Sequence, residues 1–99
     1  MNIREWISEY NDKALCADGF DEAILGVAVI HGGDYVVAYD RERCIQILMD
    51  EFEPTLEDGE DLYTIAVEYF EYNVAGSYVG EFTPMFIQIP DPDEIDTPY

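Results

Sequence analysis

Two apolar runs separated by a short polar segment constrain the fold of this chain more than any other feature. The runs cover residues 24–30 and 35–39, and they are rich in the β-branched and aromatic side chains that favour strands. The segment 31–34 between them contains two glycines, which supply the positive φ angles of a tight turn. The pattern predicts a β-hairpin. Because both runs are apolar on both faces, we expect the hairpin to be covered on two sides or to present one face to a partner.

Helical spacing appears on both sides of the hairpin. Apolar residues recur at intervals of three and four through residues 1–15, with acidic residues between them. A second apolar stripe covers residues 45–52. Asp40 precedes this second helix in a position to cap it, and Pro54 is expected to end it.

A third helix is predicted to begin within residues 57–61, with Thr55 or Asp58 as its cap, and to end at Gly76. Residues 85–89 form a short apolar run that is typical of a final strand. The predicted order is therefore helix, strand, strand, helix, helix, strand.

This order predicts an α+β fold, with a small antiparallel sheet made of the hairpin and the C-terminal strand, and with about three helices packed on it. Residues 1–89 are expected to form a single compact domain. Residues 90–99 are acidic and interrupted by prolines, so we interpret them as a mobile tail.

Charge is distributed unevenly along the chain. No Lys or Arg follows Arg43, whereas 14 Asp and Glu residues lie between Asp50 and Asp96, and the net charge is −19. A hydrophobic content of 48% still favours a folded protein over a disordered acidic chain. Such a charge disfavours direct binding to nucleic acid or to anionic membranes. The expected partner is a basic protein, in particular one that itself binds nucleic acid.

Acidic residues of the third helix are the candidate binding residues. Residues four apart in a helix are separated by about 6 Å along the axis, and each strand of duplex DNA carries a phosphate about every 3.4 Å. A row of carboxylates can therefore imitate a row of phosphates, with tyrosines as apolar anchors. The alternative is a solvated helix face that keeps an aromatic-rich protein soluble. The predicted partner-binding residues are Glu57, Asp61, Glu68, Glu71, Tyr72 and Tyr78.

Neither a catalytic set nor a metal motif can be assembled. His31 is the only histidine and adjoins the hairpin turn, where we interpret it as a turn residue. Asp18, Asp21 and Glu22 supply enough oxygens for a hard cation such as Ca²⁺ or Mg²⁺, but their spacing does not match an EF-hand, and capping or turn formation is the preferred interpretation. We therefore predict no catalytic residue, no cofactor and no metal, and hence no enzyme.

Cys16 and Cys44 are isolated cysteines with apolar neighbours. They are interpreted as buried thiols in a reducing compartment, and a disulfide between them remains an alternative. The N-terminus lacks a basic region followed by an apolar run, and no stretch approaches the roughly 18 apolar residues of a membrane span. We expect a cytoplasmic protein with no membrane partner.

Two segments resemble short acidic proteins encoded by bacteriophages and prophages, a group without an assigned activity. The segments are ADGFDEAILGV at residues 17–27 and EYFEYNVAGSYVGEFTP at residues 68–84. The resemblance implies an accessory protein that acts in the cytoplasm of a bacterial host, and it brings no catalytic residues with it.

Charge and resemblance together predict a non-enzymatic acidic protein that engages the basic surface of a nucleic-acid-binding protein. A DNA-mimic inhibitor of a host defence or DNA-processing protein is the specific form of this prediction. Two alternatives remain: a small cation-binding or hydrolytic protein that uses Asp18, Asp21 and Glu22, and a structural phage protein whose apolar hairpin drives self-association, as in a homodimer.

Overall fold

The computed structural model describes residues 1–77 and 80–95, which form a three-stranded sheet and three α-helices. The α+β class and the order of the elements are therefore confirmed. The described helices and strands are α1 (Ile3–Tyr10), β1 (Ile24–Val29), β2 (Tyr35–Asp40), α2 (Arg41–Phe52), α3 (Leu62–Tyr69) and β3 (Met85–Ile87).

The predicted hairpin is present. Strands β1 and β2 pair in antiparallel fashion, with Val27 opposite Val37. The turn is closed by the N–H of Ile30, which donates to the carbonyl of Asp34 at 2.8 Å. Gly33 has a φ of +91°, a conformation that L side chains rarely adopt. Glycine at this position is what allows the short turn to form.

Strand β3 pairs with β2 in parallel, with Ala38 opposite Met85 and Asp40 opposite Ile87. The prediction of a wholly antiparallel sheet was therefore wrong for the third strand. The chain between β2 and β3 passes through α2 and α3, and such a helical crossover is the kind of connection that parallel strands need. The apolar pattern of a short strand does not encode its direction.

The core lies where β2 meets α2 and the end of α3. Val37, Tyr39, Ile45 and Phe70 are at most 1% exposed. The ring of Phe86 in β3 stacks on Tyr39 with centroids 5.4 Å apart and meets the ring of Phe70 edge-on at 5.0 Å. These contacts hold the crossover helices and the third strand on the same face of the central strand.

Helix α1 ends at Tyr10, earlier than its apolar spacing predicted. Asn11 adopts an extended conformation there, and its side-chain amide donates to the carbonyl of Tyr35 at 2.9 Å. Further along, the N–H of Ala17 donates to the buried hydroxyl oxygen of Tyr39 at 2.7 Å. Both bonds hold the segment after α1 against β2, where a continued helix would not place it.

Asp40 caps α2 as predicted, because its side chain accepts from the N–H of Arg43 at 3.2 Å. The helix ends at Phe52, next to a 3₁₀ turn that contains Pro54. Beyond β3, Pro92–Glu94 forms another 3₁₀ turn, and residues 96–99 of the predicted tail lie outside the described residues. The domain boundary at residue 89 stays a prediction.

Helix α3 begins later than predicted, and neither Thr55 nor Asp58 caps it. Asp61 is the cap: its carboxylate accepts from the N–H groups of Tyr63 and Thr64 at 3.1 and 3.3 Å. Gly59 has a φ of +85°, which a helix cannot include. The acidic residues before Asp61 therefore belong to the connection between α2 and α3. No helix in the described residues has the length and apolar composition that crossing a membrane requires.

Candidate partner-binding surface

The predicted acidic residues do not form one row along α3. Glu57 precedes the helix, and its N–H donates to the carboxylate of Glu60 at 2.8 Å. Asp61 is the cap of α3, Glu68 lies within the helix, and Glu71 lies in a π-helical turn that follows it. The continuous helical row was therefore wrong as a structural prediction, because only one of these residues is inside the α-helix. Their role in binding a partner stays a prediction.

Glu71 forms an ion pair within the protein. Its carboxylate lies 2.7 Å from the guanidinium of Arg41, which also donates to Gln88 at 2.9 Å. The same guanidinium lies 5.6 Å from the centre of the Phe70 ring and 3.5 Å from Glu42. The hydrogen bond to Glu71 raises the pKa of Arg41 above its ordinary value. Much of the charge of Glu71 is thus compensated before any partner arrives.

Acidic residues of the candidate cation site also face arginines. Arg4 lies 3.1 Å from Asp18 and 3.0 Å from Asp21, and Arg43 lies 2.9 Å from Glu22. Within residues 1–77 and 80–95, no group of three or more His, Cys, Asp or Glu side chains is placed to hold a metal ion. The three carboxylates therefore serve to join α1 and α2 to the segment before β1.

Many acidic residues lie at the end of α2 and in the connection between α2 and α3. Seven exposed acids fall between residues 50 and 61, and we name this segment the acidic connection. In the part of the chain that the structure describes, every ion pair lies elsewhere. Its charge is therefore not neutralised internally. The seven residues are Asp50, Glu51, Glu53, Glu57, Asp58, Glu60 and Asp61.

An apolar groove opens beside the acidic connection. Phe52, Leu56, Ile65 and Tyr69 line it together with Thr55 and Glu60, and it encloses about 270 Å³. The rings of Phe52 and Tyr69 meet edge-on, with centroids 5.1 Å apart. We name this feature the apolar groove. The groove was not predicted from the sequence, although Leu56 is an apolar residue inside an acidic run and so gives a signal of it.

Of the two tyrosines that were predicted to be apolar anchors, Tyr72 is among the described residues and Tyr78 is not. Tyr72 lies in the π turn and is 82% exposed, so its ring is available to a partner. Tyr78 lies outside the described residues. Among the described residues, the tyrosine that lines the apolar groove is Tyr69, not Tyr72.

The single histidine and the two cysteines differ in their exposure to solvent. His31 is exposed in the hairpin turn. Cys44 is completely buried, and desolvation raises the pKa of its thiol to about 12. Burial also raises the pKa of Cys16, and no disulfide joins the two cysteines. A thiol with a raised pKa is a weak nucleophile, since the thiolate is the reactive form.

Comparison of the chain with models of protein families, with curated proteins and with solved structures gave no match in any of the three.

Proposed function

We propose that this chain is a non-enzymatic binding protein whose acidic connection docks on the basic surface of a nucleic-acid-binding protein. One observation carries the proposal: seven exposed acids fall within residues 50–61, while the arginines of the chain are engaged by carboxylates elsewhere. A cluster left without internal counter-charges projects its field into solvent and attracts a cationic surface.

Basic surfaces are typical of proteins that bind phosphate backbones. A protein that covers such a surface with carboxylates excludes the nucleic acid from it. The proposed activity is therefore inhibition by occupation of the nucleic-acid site, and the resemblance to phage-encoded proteins suggests a host defence or DNA-processing protein in a bacterial cytoplasm as the target.

The proposed binding surface differs from the one that was predicted from the sequence. Glu57 and Asp61 remain part of it, because both lie in the acidic connection. Glu71 is assigned a structural role instead, since Arg41 holds it. Glu60 is added because it is exposed and lines the apolar groove, and Glu53 is added because it is exposed and follows Phe52, another lining residue.

A charge-reversal experiment tests the proposal. The test variant carries Glu53→Lys, Glu57→Lys and Glu60→Lys, and the control carries Glu9→Lys, Asp12→Lys and Asp34→Lys. All six positions are exposed, and both variants change the net charge equally. Affinity capture from a bacterial lysate at low salt uses each variant as bait beside the unaltered chain.

We expect the unaltered chain and the control to capture a basic protein that the test variant fails to retain. The captured protein is then purified and loaded with labelled duplex DNA, and the chain should displace that DNA with an affinity that falls as salt rises. Equal capture by both variants, or a complex that keeps its DNA, would overturn the proposal.

A further inference from the structure

The apolar groove lies beside the acidic connection and shares residues with it. Leu56 and Ile65 are half-buried and lie outside the main core of the described residues, and Tyr69 is 43% exposed. An apolar depression of this kind is a place where an apolar side chain of a partner can leave water. Glu60 of the acidic connection lines this groove, so attraction of cations and burial of apolar surface meet at one place.

Size restricts what the groove can hold. Sites for drug-sized ligands usually enclose about 300 to 1,000 Å³, whereas this groove encloses about 270 Å³. One large apolar side chain fits that space. Two of the side chains that line it, Phe52 and Tyr69, form an edge-on pair of rings and supply apolar contact area.

Charge restricts the occupant further. Glu60 lines the groove itself, and Glu53, Glu57 and Asp61 lie near it in the sequence. An uncharged apolar segment would leave these carboxylates without counter-charges. A second copy of the chain would bring another acidic connection against the first, at a net charge of −19 per chain. A basic segment that carries an apolar side chain complements both parts of the surface.

We propose that the apolar groove binds one large apolar side chain of a partner segment whose flanking Lys or Arg residues pair with the acidic connection. The inference rests on the proposed function, because it specifies the partner chemistry of the same surface. The apolar side chain sets affinity through burial, and the basic residues set the rate and salt dependence of association.

Two synthetic peptides test the inference directly. Both contain lysines on each side of one central residue, which is leucine in the first and alanine in the second. Titration calorimetry at low salt should show the leucine peptide binding about tenfold more tightly, since part of its side chain leaves water. Added salt should weaken both peptides in parallel.

Variants of the protein test whether the apolar groove causes the preference for the leucine peptide. Leu56→Ala should reduce the preference for leucine to nearly none, whereas the control Leu25→Ala, an exposed position on β1, should leave it unchanged. The charge-reversed test variant should weaken both peptides equally. Methyl NMR of the unaltered protein provides a second measurement, in which the leucine peptide should shift the signals of Leu56 and Ile65 and leave Leu25 unmoved.

The outcomes separate the two proposals. Equal, salt-sensitive binding of both peptides would overturn the groove inference and leave the proposed function standing. Binding of a leucine peptide with serines in place of lysines, at unchanged affinity, would also overturn it. A dimer seen by sedimentation and lost in Leu56→Ala would assign the groove to a second copy instead. If charge reversal changes neither peptide binding nor capture, the proposed function itself fails.

Discussion

The guanidinium of Arg41 lies 2.7 Å from the carboxylate of Glu71, and this ion pair joins the start of α2 to the turn that follows α3. Arg41 is three-quarters buried, and its guanidinium lies over the ring of Phe70, a core residue. The contact explains why a basic residue is tolerated in the first turn of α2, where the helix dipole favours acids. It also separates Glu71 from the acids that remain available to a partner.

Glu71→Gln should lower the free energy of unfolding modestly, by less than about 1 kcal/mol, because Glu71 is half exposed and solvent screens the pair. Urea denaturation followed by circular dichroism measures this change. Affinity for the lysine-rich leucine peptide should stay the same. The control Glu68→Gln removes an exposed charge that has no ion pair in the described residues. Unchanged stability with weaker peptide binding would instead support the role that the sequence analysis gave Glu71.

Asp61 combines a capping role with a charge in the acidic connection, and two substitutions separate these roles. Asp61→Ala should lower Tm, because the N–H groups of Tyr63 and Thr64 lose their acceptor. Asp61→Asn keeps one acceptor oxygen but loses the charge, so it should lower Tm less than Asp61→Ala does while it weakens the binding of the lysine-rich peptides. Thermal melts and peptide titrations of both variants provide the comparison. Equal loss of Tm in both would show that the charge, and not the cap, stabilises α3.

The stabilisation that the Asp61 cap gives should fall as the pH becomes acidic. Hydrogen bonds from the Thr64 hydroxyl and backbone lower the pKa of Asp61 below its ordinary value of 3.8. A lowered carboxyl pKa means that the folded state favours the charged form, so the stabilisation is complete at neutral pH and is lost as the pH falls through the folded-state pKa. The difference in Tm between the unaltered chain and Asp61→Ala should therefore shrink in acid.

Gly76 lies against the π turn. A Cβ atom at this position would lie 2.9 Å from the carbonyl oxygen of Glu71, closer than real side chains approach a backbone atom. Gly76→Ala should therefore cost about 1 to 3 kcal/mol of folding free energy, since the turn must shift to relieve the contact. Urea denaturation measures the loss, with the exposed position Glu68→Ala as the control. A neutral effect would show that the turn relaxes easily.

Burial of Cys44 makes the stability of the fold sensitive to alkaline pH. The folded-state pKa of this thiol is raised to about 12 from an ordinary value of 9.0, so unfolding exposes a group that ionises more readily. Its contribution to stability is complete below about pH 9 and is lost as the pH rises toward 12. Cys44→Ala should flatten the alkaline part of a curve of unfolding free energy against pH. A maleimide should label Cys44 only in denaturant, and rapid labelling of the native protein would contradict its burial.

Local patterns were enough to predict much of the fold. Apolar runs on either side of two glycines specified the hairpin, and Asp40 before an apolar stripe specified the start of α2. These features depend on hydrogen bonds between residues that are close along the chain, so the residues themselves encode them. The excess of acidic residues after Arg43 is likewise a property of the sequence.

Contacts between distant parts of the chain produced the remaining features. The parallel direction of β3 depends on the path through two helices, and the pairing of Arg41 with Glu71 joins residues that are far apart in sequence. Because Gly59 cannot be part of a helix and Asp61 is the cap, α3 starts later than predicted, and two of the four predicted acids, Glu57 and Asp61, lie before the helix. The apolar groove forms only because packing brings Phe52 against Tyr69. Amino-acid patterns determine hydrogen bonding over a few residues, whereas packing across the core determines which charges are neutralised and which apolar side chains stay accessible.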